Sequence, residues 1–466
     1  MTRANVLTVV FALLASVLVA AGLMLMGQSQ AIALTVAITL FTAVLWVSEA
    51  LPIPATSLIP FAAFPMAGVL THQQAASALG SHVILLLMGA FMLSKALERS
   101  NVHTRLAVYM MRLTGASSAK RLVLAFMLTS ALLSMWISNT ATTLMLLPIG
   151  LAVLAHLNCP RINTAILLGI AYAASLGGVG TPIGTPPNII FMSVYSESVG
   201  QEISFLTWMK TGLPIVLLAI PIMALWLSRG LGTLQAPPLP EPGAWRAPEK
   251  RVLMVFGLIA LAWVFRPYWT EWFDMPMVGD STIALAGVVL MFLVPNGETP
   301  QQQEDKEKPV KRPRLLDWQS AGDIPWGMLL LFAGGICIAK AFGASGLSEQ
   351  MGVWLSGLAD LPLPVLILVL CLCVTFLTEI TSNTATATLL MPILASAGMA
   401  VGIDPALLMM PAAISASCAF MLPVATAPNA IIYASGKFSI GTMAREGAVL
   451  NVLVALVVTA VVLVTR

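Results

Sequence analysis

Long apolar runs recur along almost the whole chain, most of them near the ~20 residues that carry a helix across a hydrocarbon core, and they leave few other ways to fold. Backbone in lipid has no water to bond, so it closes its own hydrogen bonds as helices or as a sealed barrel. Barrel strands alternate apolar and polar residues. These runs are continuous, so the chain reads as an all-α polytopic membrane protein. Charged residues make up only 9% of it, far below the ~25% of a typical soluble domain. The opening run from Val6 to Met26 is too long for the core of a secretory signal and is followed by many more, so it reads as a first membrane helix. The basic residues form no cluster interleaved with aromatics, so nucleic acid is not expected as a partner. Five cysteines, an odd number and mostly inside apolar runs, read as small buried residues rather than a disulfide or metal framework.

Spans are expected near 5–27, 31–49, 53–70 and 82–98, followed by a basic stretch carrying Arg99, Arg105, Arg112, Lys120 and Arg121. Then come two interrupted runs. The first, 122–157, carries a polar knot at Ser138-Asn139-Thr140. The second, 163–196, is broken by the Gly- and Pro-rich stretch 177–188. A span at 212–228 closes a first half, 1–230, and a linker, 231–251, follows. The second half, 252–466, repeats the plan: spans near 252–269 and 281–295, a polar loop with Lys306, Lys308, Lys311, Arg312 and Arg314, and a span at 326–343. Its own knotted run, 363–400, and broken run, 405–435, precede a last span at 447–464. The total is about 11 spans plus two hairpins that enter and leave on one side.

The two halves align. Ser138-Asn139-Thr140-Ala141-Thr142 recurs as Ser382-Asn383-Thr384-Ala385-Thr386, 244 residues on, and each knot leads to a proline, Pro148 and Pro392. Thr185-x-Pro187-Asn188 recurs as Thr426-x-Pro428-Asn429, 241 residues on, and Lys95 and Lys340 keep the same frame. With the 99–121 stretch in the cytoplasm, most of the 23 lysines and arginines fall on that side, as the positive-inside rule asks. The N-terminus is then cytoplasmic and the C-terminus external, in a cell inner membrane. The first hairpin enters from inside and the second from outside. The halves are therefore expected to be inverted, a plan common in secondary transporters.

A polar knot inside an apolar run is ordinarily a packing device. A duplicated knot with a duplicated break behind it reads instead as a site, since irregular backbone at membrane depth survives only where it lines a cavity or is buried in protein. A tip that starts a helix presents free N–H groups and the positive end of the helix dipole, which suits an anion. Freed carbonyls, the Asn oxygen and the Ser and Thr hydroxyls at the same tips suit a hard cation. No Arg or Lys lies in or beside the knots, so a bound anion would draw its positive charge from dipoles and bound cations. That is a physical reason for coupling the two. Glu379, the one charge beside a knot, is a candidate hydrogen-bond acceptor behind the site or a proton carrier. His72, His82, His103 and His156 are scattered, and no hydrolase or nucleotide-binding motif is present, so no catalysis is expected.

At these residues the sequence resembles the divalent anion:sodium symporters, the dicarboxylate and citrate carriers. The marks are Ser134-x-x-x-Ser138-Asn139-Thr140, Thr378-x-x-x-Ser382-Asn383-Thr384, Gly184-Thr185-Pro186-Pro187-Asn188, Ala425-Thr426-Ala427-Pro428-Asn429 and the early Ser48-Glu49-Ala50-Leu51-Pro52-Ile53-Pro54. The resemblance implies two Na+ sites, one held by Ser134, Ser138, Asn139 and the Gly184 carbonyl. The other would be held by Thr378, Asn383 and the carbonyls of Thr381 and Ala425. It implies a dianion between Asn139, Thr140, Asn383 and Thr384, with Thr185, Pro186 and Thr426 lining the site. It further implies a homodimer in the bilayer that works as an elevator and symports a C4-dicarboxylate with sodium. Sulfate or a tricarboxylate as cargo, sodium-independent exchange, and an anion channel are the alternatives. One position departs from the pattern: the second arm has Ala427 where the first has Pro186, which implies a looser turn beside the substrate.

Overall fold

A computed structural model describes residues 3–114, 118–155, 157, 159–231, 243–298, 313–355 and 362–465. The interior of the 231–251 linker, Lys306, Lys308, Lys311, Arg312, His156 and Asp360 lie outside the described residues. Among those described, regular structure is helical, apart from an isolated bridge between Pro295 and Arg314.

The first half runs α1 (Arg3–Leu25), α2 (Gln30–Ser48), α3 (Ile53–Thr56), α4 (Ile59–Met66), α5 (His72–Leu79), α6 (His82–Ser100) and α7 (Val102–Thr114). It continues through α8 (Ala119–Ser134), α9 (Asn139–Leu154), α10 (Pro160–Gly177), α11 (Pro186–Val199) and α12 (Phe205–Leu227). The second comprises α13 (Ala247–Val264), α14 (Arg266–Trp272), α15 (Asp280–Leu293), α16 (Trp318–Gly322), α17 (Trp326–Ser345) and α18 (Leu347–Leu355). It ends with α19 (Leu363–Thr378), α20 (Asn383–Ala400), α21 (Ala406–Ala416), α22 (Ala427–Tyr433) and α23 (Ile440–Thr465).

Seven of the described helices are long and apolar enough to cross a membrane alone, or eight if the bent pair α13–α14 is one span. The larger count of about 11 includes segments that the structure divides. The 53–70 run breaks at Ser57, and its pieces α3 and α4 both begin with proline in the first turn. The 252–269 span stops at Val264, where the chain bends by 79° into α14. Three boundaries move outward because polar residues extend the helices. Ser204 caps α12 by accepting from Thr207 N–H, so that helix starts before 212. Glu249 accepts from the Arg246 N–H at 2.8 Å, so α13 starts inside the expected linker. The last helix begins at Ile440, not 447, where Ser439 Oγ accepts from the Thr442 N–H at 3.2 Å.

Small residues bring the helices of each half to backbone contact. A Cβ on Gly177 of α10 would collide with the Ala131 backbone of α8, and one on Gly447 of α23 with the Phe420 carbonyl. Ion pairs sit at the two ends of the bundle. At one end Arg105 and Arg246 hold Glu249, and Arg99 holds Asp317 at 2.6 Å. The Ser320 N–H and Arg99 keep the Asp317 carboxyl below the usual carboxylate range. At the other end Arg266 meets Asp280 at 2.7 Å and Lys340 meets Glu197 at 2.9 Å.

Candidate functional site

Four chain breaks converge. The turn 135–138 between α8 and α9, the turn 379–382 between α19 and α20, the stretch 181–185 before α11 and the stretch 417–426 before α22 meet around one cavity of about 790 Å³. Its lining includes Ser138, Asn139, Thr140, Gly184, Thr185, Pro186, Thr381, Asn383, Thr384, Ala425 and Thr426. Ser134 and Thr378 are fully buried behind it. The residues that the resemblance assigned to sodium or to the dianion are thus in the wall or immediately behind it.

Each arm is built by local rules. Ser138 caps α9 by accepting from the Ala141 N–H at 3.2 Å, whereas Ser382 makes no such side-chain bond at α20. Behind the caps, Ser134 Oγ donates to Asn139 Oδ1 at 2.6 Å, and Thr378 Oγ1 donates to Asn383 Oδ1 at 2.6 Å. Further back, Ser130 Oγ donates to the Ile170 carbonyl and Thr375 Oγ1 to the Ser415 carbonyl, 245 residues on. The sequence repeat is therefore also a repeat of hydrogen bonds.

Asn188 and Asn429 carry a role that the motif did not disclose. Asn188 Nδ2 donates to the carbonyls of Gly178 and Thr181, at 3.0 and 2.8 Å, and Asn429 Nδ2 donates to those of Ala419 and Leu422, at 2.9 and 3.0 Å. Each asparagine folds its broken stretch into a loop whose remaining oxygens can face the cavity. In the first arm a Cβ on Gly178 would stand 2.8 Å from the Gly184 carbonyl oxygen and 3.0 Å from Asn139 Oδ1. Two of the proposed cation ligands therefore pack against Gly178 more closely than any residue with a Cβ would allow.

Glu379 holds the second arm. Its Oε1 accepts from the N–H groups of Phe420 and Met421 and from Asn451 Nδ2, at 2.7, 2.9 and 2.8 Å; its Oε2 accepts from Leu422 N–H at 3.0 Å. The acceptor role fits this geometry. Asn451 lies on the last helix, far from any motif, and nothing in the sequence marks it. The first arm has Met135 at the matching position and ties its loop differently, through Thr181 Oγ1 to the Met135 carbonyl at 2.6 Å and Trp208 Nε1 to the Val179 carbonyl at 2.8 Å.

At Ala427 the turn keeps its form by another route. Thr426 Oγ1 accepts from the Asn429 N–H at 3.2 Å, while Thr185 Oγ1 instead meets Ser417 Oγ at 3.3 Å. The helix after Ala427, α22, is half the length of α11.

Electrostatically the tips carry no cationic side chain. The helices α9 and α20, of 16 and 18 residues, begin at the cavity, each contributing about half a positive charge at its N-terminus. Among the described residues no cluster of three or more His, Cys, Asp or Glu is placed to hold a metal. Cation capacity lies in neutral oxygens, which suit hard ions. One lysine does line the same cavity, away from the tips: Lys95, paired with Glu98 at 3.3 Å and Asp323 at 3.1 Å near the mouth.

The comparisons with known proteins agree with this architecture. The profile of the citrate transporter family, CitMHS, matches residues 43–409. The chain belongs to that family. It is also 41% identical over 449 residues to the sodium-dependent dicarboxylate transporter SdcS of Staphylococcus aureus strain NCTC 8325, covering 91% of this chain and 84% of SdcS. SdcS of strain USA300 matches equally well. The resemblance to the divalent anion:sodium symporters is thus upheld, and the protein is a multi-pass membrane transporter. Among solved structures, the YdaH transporter of Alcanivorax borkumensis superposes with a TM-score of 0.56 at 14% identity, covering 84% of this chain and 86% of that one. MtrF of Neisseria gonorrhoeae gives 0.56 at 13%, covering 84% and 82%. At such identities these two speak for the fold alone.

Proposed function

We propose that this family member is a sodium-coupled symporter of a C4-dicarboxylate such as succinate, malate or fumarate. One observation carries the proposal: two Ser-Asn-Thr tips and two Asn-clamped breaks face one cavity that has helix N-termini and neutral oxygens at its tips but no cationic side chain there. A dianion at such tips needs positive charge from elsewhere, and bound sodium supplies it. Sodium would bind first, at Ser134, Ser138, Asn139 and Gly184 in one arm and at Thr378, Thr381, Asn383 and Ala425 in the other. The dianion would then meet Asn139, Thr140, Asn383 and Thr384, flanked by Thr185, Pro186 and Thr426. The name of the 41%-identical relative, a sodium-dependent dicarboxylate transporter, supports both cargo and coupling.

Transport would follow an elevator path in a homodimer set in the cell inner membrane. The arms α8–α11 and α19–α22 would move against a scaffold of α1–α6 and α13–α17. The cavity mouth carries Lys95, Glu98 and Asp323, at the basic end of the chain. With the N-terminus cytoplasmic and the halves inverted, 1–230 against 252–466, this would be the inward-open state. The test is uptake into proteoliposomes. Labelled succinate should accumulate only with an inward sodium gradient. Equal uptake with choline in place of sodium would refute symport, and no uptake of any C4-dicarboxylate alongside sodium-driven uptake of citrate would refute the cargo.

A further inference from the structure

We propose that α14 and the turn after it form an anchor seated at the boundary between headgroups and acyl chains, in the leaflet away from the basic end of the protein. The helix before it fixes the level. α13 has 18 residues, about 27 Å of helix, enough to cross most of a bilayer core. Its first turn sits at the basic end, where Arg105 meets Glu249 at 2.9 Å and Arg246 donates to the Ser100 carbonyl at 3.0 Å. Its last turn is therefore at the opposite surface. There the chain bends by 79°, which lays α14 close to the membrane plane.

The side chains then choose the medium. Phe265, Tyr268, Trp272, Phe273, Met275 and Met277 are all exposed, Trp272 at 80% and Met277 at 94%. Six large apolar groups within thirteen residues do not suit water. Glu271 and Asp274 in the same stretch do not suit the hydrocarbon core. The layer that accepts both is the interface, where Trp and Tyr rings place an apolar body beside a wet edge.

The segment is rigidly mounted. Arg266 Nε reaches Asp280 Oδ1 at 2.7 Å, Asp280 Oδ2 accepts from the Phe205 N–H at 3.0 Å, and Trp263 Nε1 donates to the Asp280 carbonyl at 2.9 Å. Trp269 Nε1 bonds the Ala262 carbonyl at 2.9 Å. The base of the anchor thus ties α12, α13 and α15 together, while its outer face has no protein partner among the described residues. Such an anchor sets the height of the bundle in the bilayer.

Depth measurement tests this. Met277→Cys, carrying a nitroxide in a Cys159→Ser/Cys373→Ser background that retains uptake, is placed in lipid nanodiscs, and its accessibility to oxygen and to a nickel chelate is compared. The expected depth is about 5–10 Å below the headgroups. A label freely open to the nickel chelate, or one at the bilayer centre, overturns the proposal. So does a label shielded from both reagents with spin–spin broadening, which would mean that a second copy covers the face. Independently, Trp272→Ser/Phe273→Ser should reduce tryptophan quenching by lipids brominated high on the acyl chain while leaving the melting temperature in detergent unchanged. Undiminished quenching overturns the proposal.

Discussion

Replacing Glu379 by Gln removes one charge and almost no volume, so its effect isolates what the carboxylate does. Oε1 of the glutamine can still accept from Phe420, Met421 and Asn451. The new NH2 then faces the Leu422 N–H from about the position of an acceptor now 3.0 Å away. Two donors meet, and a half-buried N–H loses its partner, which costs about 1–3 kcal/mol. The three retained bonds also lose their charge assistance. The damage falls on the stretch 420–425, whose Ala425 carbonyl is a proposed sodium ligand, and whose Leu422 carbonyl is held by Asn429. The expected outcome is an apparent sodium affinity weakened by about 5–150-fold, the equivalent of 1–3 kcal/mol, in a protein that still folds with a lowered melting temperature. Sodium activation of succinate uptake and a sodium-dependent thermal shift read the two effects. Unchanged sodium activation with a changed pH profile would refute this reasoning and return Glu379 to the role of proton carrier.

Asn139→Ala and Asn383→Ala should each abolish sodium-driven uptake while leaving the protein folded, as judged by size-exclusion profile; wild-type rates in either would reduce the tips to packing devices. Gly178→Ala would put a methyl group 2.8 Å from the Gly184 oxygen and 3.0 Å from Asn139 Oδ1. It should cost about 1–3 kcal/mol of stability and weaken sodium binding more than tenfold, which equilibrium binding of sodium would report. Asp317→Asn tests the ion pair with Arg99. Because the folded-state pKa of Asp317 is depressed, its contribution is complete above the unfolded value near 3.9 and fades as pH falls through the folded value. The melting temperatures of wild type and variant should differ at pH 7 and converge in acid.

Much of the site was legible because its residues recur at a constant spacing in an otherwise apolar text. Ser134, Asn139, Thr378 and Asn383 stand out since a polar group at membrane depth is costly unless it is used. Glu379 stood out for the same reason, though its partners did not. Asn451 and Trp208 gave no signal, since one polar or aromatic residue in a long helix looks like many others, and the loops they brace belong to distant stretches. Helix ends were legible only to a few residues: Glu249 starts α13 through a bond to Arg246 that apolar patterning does not register. The bend after Val264 was equally silent, because the run stays apolar while the axis turns.

Sequence alone determined the class and the duplication: continuous hydrophobicity demands helices in lipid, and two copies of one polar motif demand two like arms. Only the tertiary structure decided that those arms share a single cavity, that Asn188 and Asn429 clamp their own loops, and that one arm is braced by a carboxylate and the other by an indole. The physical reason is separation along the chain. Spacing encodes which face of a helix a residue takes, but contact across 244 residues depends on how all the helices between them pack.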